Sequence, residues 1–133
     1  MKDYLQTKFT DEQLKTISIL GLANIGDAVY ELLVRCFLCA RGRTTTKELH
    51  RETVGYVSAP AQARATERFL DKLSEEELAV YRRGRNAKVN SIPKNADLSE
   101  YHAATGLEAL FGYLYLAGER DRINEIFAFI MED

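Results

Sequence analysis

The sequence of 133 residues predicts an all-α fold, for two reasons. Apolar residues recur at helical spacing between capping signals, and no segment alternates apolar and polar residues with the period of two that marks a half-buried strand. The length fits one domain over residues 1–133, and no repeat, low-complexity tract or linker divides the chain. We therefore expect a single bundle of helices.

The first two helices are predicted from caps and glycines. Thr10 and Gln13 form a capping box that opens a short helix. Gly21 is expected to separate it from a longer helix over about residues 22–40, whose exit is marked by Gly42.

Two further helices are predicted before the middle of the chain. A short one covers residues 46–54. Ser58 and Pro60 then have the N-cap and early-proline pattern of a helix running to about Leu73.

The C-terminal half is predicted to contain three helices. A second capping box at Ser74 opens a helix that ends at Gly84, and a polar loop follows over residues 85–97. A long helix then runs to about Leu116. The last helix is amphipathic, and its buried face is expected to hold Ile123, Ile126, Phe127 and Ile130.

Two acids, Asp27 and Glu108, stand in helices that are otherwise largely apolar, so both are expected to be buried among apolar neighbours. Burying an ionised carboxylate without a partner is costly, so such groups are usually paired, protonated or bound to a metal. At helical spacing each acid lies on a narrow polar stripe, and a facing arrangement of the stripes would bring the acids together, with Gly112 leaving room for close approach. The stripes are Asn24, Asp27, Glu31 and Arg35 on one helix and Tyr101, Thr105, Glu108, Gly112 and Tyr115 on the other.

Hard carboxylate oxygens suit Mg²⁺ or Mn²⁺ rather than zinc, and such a metal can activate a water and stabilise charge on a phosphate. A structural alternative has equal support from the spacing. In that alternative Asp27 pairs with Arg35 or a backbone group, and Glu108 pairs with a tyrosine hydroxyl.

The segment from Arg82 to Lys94 is basic and contains no acid, although the chain has a net charge of −2. Such a concentration favours contact with a nucleic acid over a merely solvated face. No aromatic residue lies within the segment, which disfavours stacking on single strands and favours a duplex read through its phosphates and 2′-hydroxyls. The candidate RNA-binding residues are Arg82, Arg83, Arg85, Asn86, Lys88 and Lys94.

The cysteines and the N-terminus give little sign of other functions. Cys36 and Cys39 form a lone C-x-x-C late in a helix, without a second pair or a nearby histidine, and are expected to be buried core residues. The sequence shows neither a signal peptide nor a membrane-length apolar run, so a cytoplasmic protein without a membrane partner is expected.

Three segments, read together, resemble the ribonuclease III endonuclease domain. Residues 25–31 look like its signature helix and residues 107–115 like its second acidic helix. Residues 83–88 and 93–97 are similar to the Mini-ribonuclease III branch, which has no double-stranded-RNA-binding domain. The resemblance covers about residues 15–130. It implies a ribonuclease III-like helical bundle.

The resemblance also implies an activity. It implies a homodimeric, magnesium-dependent endoribonuclease that cleaves double-stranded RNA and leaves 5′-phosphate ends. In the Mini branch it implies maturation of the large-subunit (23S) ribosomal RNA precursor, and the need for a ribosomal protein on that precursor stays open. The length leaves no room for a separate RNA-binding domain, so the segment from Arg82 to Lys94 is expected to anchor the RNA.

Residue by residue, Asp27 matches the essential aspartate of the family and Glu108 the essential glutamate, both catalytic and metal-holding. Ala23 and Thr105 stand where full-length ribonuclease III has further acids, so the number of metal ions stays open. The roles of Glu31 and Arg35 stay open as well.

The sequence leaves two alternative functions. The first alternative is a non-catalytic RNA-binding or ribosome-assembly protein with the same fold. A small helical metal phosphohydrolase is disfavoured, because His50 and His102 are the only histidines and neither is followed by aspartate.

Overall fold

The computed structural model describes residues 2–88, 91–92, 94 and 96–132. These residues form helices and no strand, so the predicted all-α fold is confirmed. None of the helices they form is long and apolar enough to cross a membrane. The helices are α1 (Asp11–Lys15), α2 (Ile19–Ala40), α3 (Thr46–Val57), α4 (Ala59–Glu67), α5 (Glu75–Arg85), α6 (Leu98–Leu116) and α7 (Arg120–Met131), with a 3₁₀ turn at Leu70–Lys72.

Both predicted capping boxes are confirmed. The Thr10 hydroxyl accepts from the Gln13 backbone N–H at 3.2 Å, and the Gln13 side-chain oxygen accepts from the Thr10 N–H at 2.9 Å. Ser74 and Glu77 make the same reciprocal pair at 3.2 and 2.8 Å. Each pair satisfies two donors that the start of a helix would otherwise leave free.

The predicted break at Gly21 is wrong. Helix α2 begins at Ile19, because the Ser18 hydroxyl caps it by accepting from the Gly21 N–H at 3.0 Å. Gly21 therefore lies in the first turn of the helix, where the cap offsets the low helix propensity of glycine.

The predicted ends of α3 and α4 also differ from the structure. Helix α3 continues to Val57, and Ser58 both ends it and caps α4. Helix α4 stops at Glu67 instead of near Leu73. The chain leaves the helical conformation at Phe69, with φ −129°, and the ring of this residue is fully buried in the core.

Helix α6 lies at the centre of the fold, in contact with α2, α4, α5 and α7. Its apolar residues are buried around most of its circumference, which explains why its sequence is apolar on nearly every side. The Tyr30 ring of α2 meets Phe111 edge-on, with 5.2 Å between ring centroids. The main core cluster is Tyr30, Val34, Leu38, Ala65, Phe69, Leu107, Leu110, Phe111, Leu114, Ile123 and Ile126.

Helices α2 and α6 cross through two glycines. A Cβ atom on Gly26 would lie 1.6 Å from the Glu108 carbonyl oxygen, and one on Gly112 would lie 1.9 Å from the Leu22 carbonyl oxygen. Only glycine fits at either position, so the close approach predicted at Gly112 is confirmed. The crossing sets the turn of α2 that carries Asp27 against the turn of α6 that carries Glu108.

A similar contact joins α5 to α6. A Cβ atom on Gly84 would lie 2.7 Å from the Ala109 Cβ atom and 3.0 Å from the Gly106 Cα atom. The C-terminal end of α5 is thus held against the α6 turn that contains Glu108.

The outer face of α2 is not covered within one chain. Leu32 is 61% exposed, and Cys36 and Cys39 are free and exposed. The prediction of buried cysteines is wrong, because these residues face away from α6.

Candidate active site

Asp27 and Glu108 are brought together by the crossing of α2 and α6 at Gly26 and Gly112. Each acid comes from a helix whose backbone is fixed by that contact, so their proximity does not depend on a mobile loop. The predicted convergence of the two acids agrees with this geometry.

The environment of Glu108 disfavours its ionised form. Burial is the larger cause and the negative charge of Asp27 the second, and together they raise the pKa of Glu108 to about 8. The side-chain amide of Gln62 opposes them by favouring the carboxylate. Near neutral pH the pair therefore retains a proton unless a cation offsets the repulsion.

The expectation that Asp27 is buried among apolar neighbours is wrong. Its side chain is exposed, and only Glu108 is partly withdrawn from solvent. Several apolar residues of α2, including Ala28 and Leu32, lie on the uncovered face of the helix, so an apolar sequence around Asp27 does not place it in the core.

The structural alternative for the acids finds no support. Arg35 pairs with Glu31 instead of Asp27, with 3.5 Å between Nε and Oε2. In the part of the chain that the structure describes, no cation pairs with Asp27 and no tyrosine hydroxyl bonds to Glu108. Glu31 and Arg35 thus form an ion pair on the surface of one helix.

The pair fits a hard divalent cation with few protein ligands. Across residues 2–88, 91–92, 94 and 96–132 there is no group of three or more His, Cys, Asp or Glu side chains placed to hold a metal. Ala23 and Thr105 are buried where further acids would extend the site, and the Thr105 hydroxyl donates to the Tyr101 carbonyl at 3.1 Å. Magnesium commonly keeps several waters and takes only one or two carboxylates from a protein, which suits this pair.

Gln62 is a site residue that the sequence analysis missed. It lies in α4 with 1% of its surface exposed, beside Glu108. In the helix that the sequence predicts to run to about Leu73, it shares a face with Ala65 and Phe69, which are both buried in the core. A single amide on an otherwise apolar stripe was the signal that could have identified it.

The basic segment lies partly on a helix. Arg82, Arg83 and Arg85 belong to the last turn of α5. Only Arg85 differs from the prediction, which ended the helix at Gly84 and began the loop at residue 85. The Arg85 Nε donates to the Asn86 side-chain oxygen at 3.2 Å. The predicted loop positions Asn90, Pro93 and Asn95 lie outside the described residues.

The cations of this segment are not neutralised by acids. Its five basic side chains are exposed, and none of them pairs with a carboxylate among the residues that the structure places. The Gly84 contact holds the same end of α5 against the α6 turn that bears Glu108. Three of these exposed cations, Arg82, Arg83 and Arg85, lie on the helix end that packs against this turn, and the other two follow it in the chain. The five cations are Arg82, Arg83, Arg85, Lys88 and Lys94.

The helical bundle, with an acid on each of two crossing helices, is that of a ribonuclease III-type nuclease domain. The family model described as "Ribonuclease III domain" matches residues 20–119. The chain belongs to the ribonuclease III family and is an endoribonuclease.

The similar proteins point to one branch of this family. The chain is 50% identical over 117 residues to Mini-ribonuclease 3 of Thermoanaerobacter sp., covering 88% of this chain and 82% of the relative. It is 40% identical over 131 residues to Mini-ribonuclease 3 of Clostridium tetani, covering 98% and 87%. The resemblance to the Mini-ribonuclease III branch is therefore confirmed.

A solved structure agrees with the fold. A crystal structure of a protein from Fusobacterium nucleatum superimposes with a TM-score of 0.78 at 30% sequence identity, covering 86% of this chain and 88% of that one. The similarity extends over most of both chains, so the ribonuclease III-like bundle is confirmed.

Proposed function

We propose that this endoribonuclease cleaves double-stranded RNA with the help of a divalent metal, and that Asp27 and Glu108 are its catalytic acids. Residues 1–133 then work as one catalytic domain. The observation that carries the proposal is the approach of two carboxylates across the α2–α6 crossing, close enough for the charge of Asp27 to raise the pKa of Glu108. Such repulsion between acids is typical of a site that holds a cation.

Asp27 and Glu108 would hold Mg²⁺, with Mn²⁺ as a substitute. When bound, the metal supplies an activated water and positive charge that stabilises the phosphate during hydrolysis. The work of the two helices is to keep both carboxylates at one place and to withdraw Glu108 partly from solvent. Hydrolysis would leave a 5′-phosphate and a 3′-hydroxyl.

The basic end of α5 would bind the RNA. We assign phosphate and 2′-hydroxyl contacts to the exposed side chains around it, which no acid neutralises among the described residues. Because Gly84 fixes this helix end beside the Glu108 turn, a duplex held there lies near the acids. The proposed RNA-binding residues are Arg82, Arg83, Arg85, Asn86, Lys88 and Lys94.

The uncovered face of α2 supports a homodimer. Ala28, Leu32 and Cys36 lie on this face at helical spacing, all exposed, and Asp27 is at its edge. An apolar face of this kind gains stability by pairing with a second copy. Sedimentation velocity tests the proposal, since Leu32→Glu should convert a dimer into a monomer. A wild-type chain that is monomeric at micromolar concentration would contradict it.

The proposed natural substrate is the precursor of 23S ribosomal RNA in the cytoplasm, with a ribosomal protein on the precursor as a further partner. Similarity to Mini-ribonucleases along most of the chain supports this choice. Mapping the ends of 23S ribosomal RNA in cells that lack the protein tests it. Unchanged ends would remove this substrate without affecting the assignment of the site.

The decisive experiment uses Asp27→Asn on a long RNA duplex and on its single strand, with magnesium or with EDTA. We expect wild type to cut only the duplex and only with magnesium, and the variant to lose most turnover while still binding RNA. Asp27→Asn removes the charge of one acid but leaves the basic end of α5 intact.

Glu31→Gln is the matched control, since this acid lies one turn further along the same helix and pairs with Arg35. It should keep its activity. Equal cutting by Asp27→Asn and wild type would refute the assignment of Asp27. Binding without cutting under every condition would instead support a non-catalytic RNA-binding protein with the same fold.

A further inference from the structure

Gln62 is a buried amide that links three helices. It lies on α4, its Nε2 donates to the carbonyl of Val57 at the end of α3 at 3.2 Å, and its side chain neighbours Glu108 on α6. Only 1% of its surface is exposed. Its Oε1 atom is buried and has no hydrogen-bond partner among the described residues.

The anchor of this amide is a backbone group that the helices leave free. Val57 is the last residue of α3, so its carbonyl accepts no hydrogen bond from a backbone N–H of that helix. One N–H of the Gln62 amide satisfies that carbonyl and thereby fixes the orientation of the amide. The side chain then has a second N–H that can serve the Glu108 carboxylate.

A purely structural contact between α4 and α6 would not need an amide. A leucine would fill a similar volume without burying an oxygen that lacks a partner, which is a costly arrangement. The polar side chain is therefore better explained by its neighbour Glu108. Carboxylates that bind metals are commonly oriented by hydrogen bonds from surrounding groups.

We propose that Gln62 is a positioning residue that holds the Glu108 carboxylate towards Asp27 and so strengthens the binding of the divalent metal. This inference rests on the proposed function of the two acids. Gln62 itself touches neither the RNA nor the reacting atoms; it acts through Glu108.

The test measures Mn²⁺ affinity by electron paramagnetic resonance on the protein without RNA. Gln62→Leu should weaken Mn²⁺ binding about tenfold, as the loss of such a hydrogen bond to a metal-binding group typically does. Thr66→Val is the matched control. Thr66 is also buried, lies one turn further along α4, and its hydroxyl donates only to the Ala63 carbonyl at 2.6 Å.

The outcomes are separable. Unchanged Mn²⁺ affinity in a folded Gln62→Leu protein, or an equal loss in Thr66→Val, would overturn the role of Gln62. Asp27→Asn is included in the same experiment, because Mn²⁺ binding that survives this change would overturn the proposed metal site itself.

A wild-type measurement decides the matter if Gln62→Leu fails to fold. In a nitrogen-proton correlation spectrum, the side-chain amide signal of Gln62 should shift when Mg²⁺ is added, because its carboxylate partner changes state. The side-chain amide of Gln13, which serves only the capping box of α1, should not shift. A Gln62 signal that Mg²⁺ leaves unchanged would overturn the proposal.

Discussion

At the scale of single residues, the site depends on how strongly its surroundings disfavour a second negative charge. Glu108 is withdrawn from water and lies beside Asp27, which raises its pKa, while the Gln62 amide partly compensates. Elsewhere a buried acid has the opposite shift. The Arg122 side chain, bonded to Glu77 at 2.8 and 2.9 Å, lowers the pKa of that carboxyl. Glu77 thus stabilises the fold as an ion, whereas the ionisation of Glu108 destabilises it.

The raised pKa of Glu108 predicts a stability that falls with pH in EDTA. The unfolded chain releases this proton near the ordinary value of 4.5, and the folded chain keeps it until pH is about 8. Between these values the folded state binds more protons, so the free energy of unfolding falls as pH rises, by at most about 1.4 kcal/mol per pH unit.

Denaturant unfolding at pH 5 and pH 8, at one protein concentration, measures this effect. Glu108→Gln should gain stability relative to wild type on going to pH 8, by about 1 kcal/mol or more. Asp27→Asn should show part of the same gain, because it removes the neighbouring charge. If each variant differs from wild type by the same free energy of unfolding at both pH values, the raised pKa of Glu108 is contradicted.

The position of the two acids on their helices can be predicted from helical spacing, but their solvent exposure cannot. The spacing of the polar stripes predicted that Asp27 and Glu108 converge. It could not show that Asp27 is exposed, since an apolar run on α2 contains residues of an uncovered face as well as core residues. Gln62 was missed because its importance comes from a neighbour distant in sequence.

At the scale of helices, the fold is determined by caps and by glycine contacts. The capping boxes at Thr10 and Ser74 could be predicted because each is a local pattern of four residues. The end of α4 could not, because it depends on where the buried ring of Phe69 fits the core. The close contact of Gly26 with the backbone of α6 likewise could not be predicted, because it exists only once α2 and α6 are packed together.

The α2–α6 crossing predicts a large effect from a single methyl group. Gly112→Ala would place a Cβ atom 1.9 Å from the Leu22 carbonyl oxygen, so the helices must separate. We expect a loss of about 3 kcal/mol or more in the free energy of unfolding, at the upper end for overpacking. The acids would also move apart, so RNA cleavage should fall.

Gly55→Ala is the control for this substitution. Gly55 lies in α3, and a Cβ atom there would meet nothing within 4 Å. Alanine should stabilise that helix by about 0.5–1 kcal/mol, because glycine is the poorer helix former. Urea unfolding of both variants provides the comparison, and similar stabilities would show that the crossing tolerates a wider separation.

At the scale of the whole molecule, the acidic site and the basic patch occupy different helices that meet at α6. The chain as a whole has a net charge of −2, so its attraction for RNA must come from the local concentration of cations. A third surface, the outer face of α2, is apolar and is not covered within one chain. Catalysis, RNA binding and pairing of two copies are thus proposed to use different residues, and a substitution in one group should remove one property alone.

The salt dependence of RNA binding tests this separation. Each phosphate contact releases counterions, so the double variant Arg85→Glu, Lys88→Glu should weaken duplex binding and reduce the slope of log affinity against log salt by about 2. The control is Lys15→Glu, Arg120→Glu, which changes the net charge equally at exposed residues of α1 and α7.

Binding is measured by titration of a labelled duplex with the metal replaced by EDTA, so that no RNA is cut. An unchanged slope in the first variant, or an equal reduction in the control, would move the RNA contact away from the end of α5. A reduced slope in the first variant alone, with Mn²⁺ affinity intact, would establish that this chain binds its RNA with one group of residues and cuts it with another.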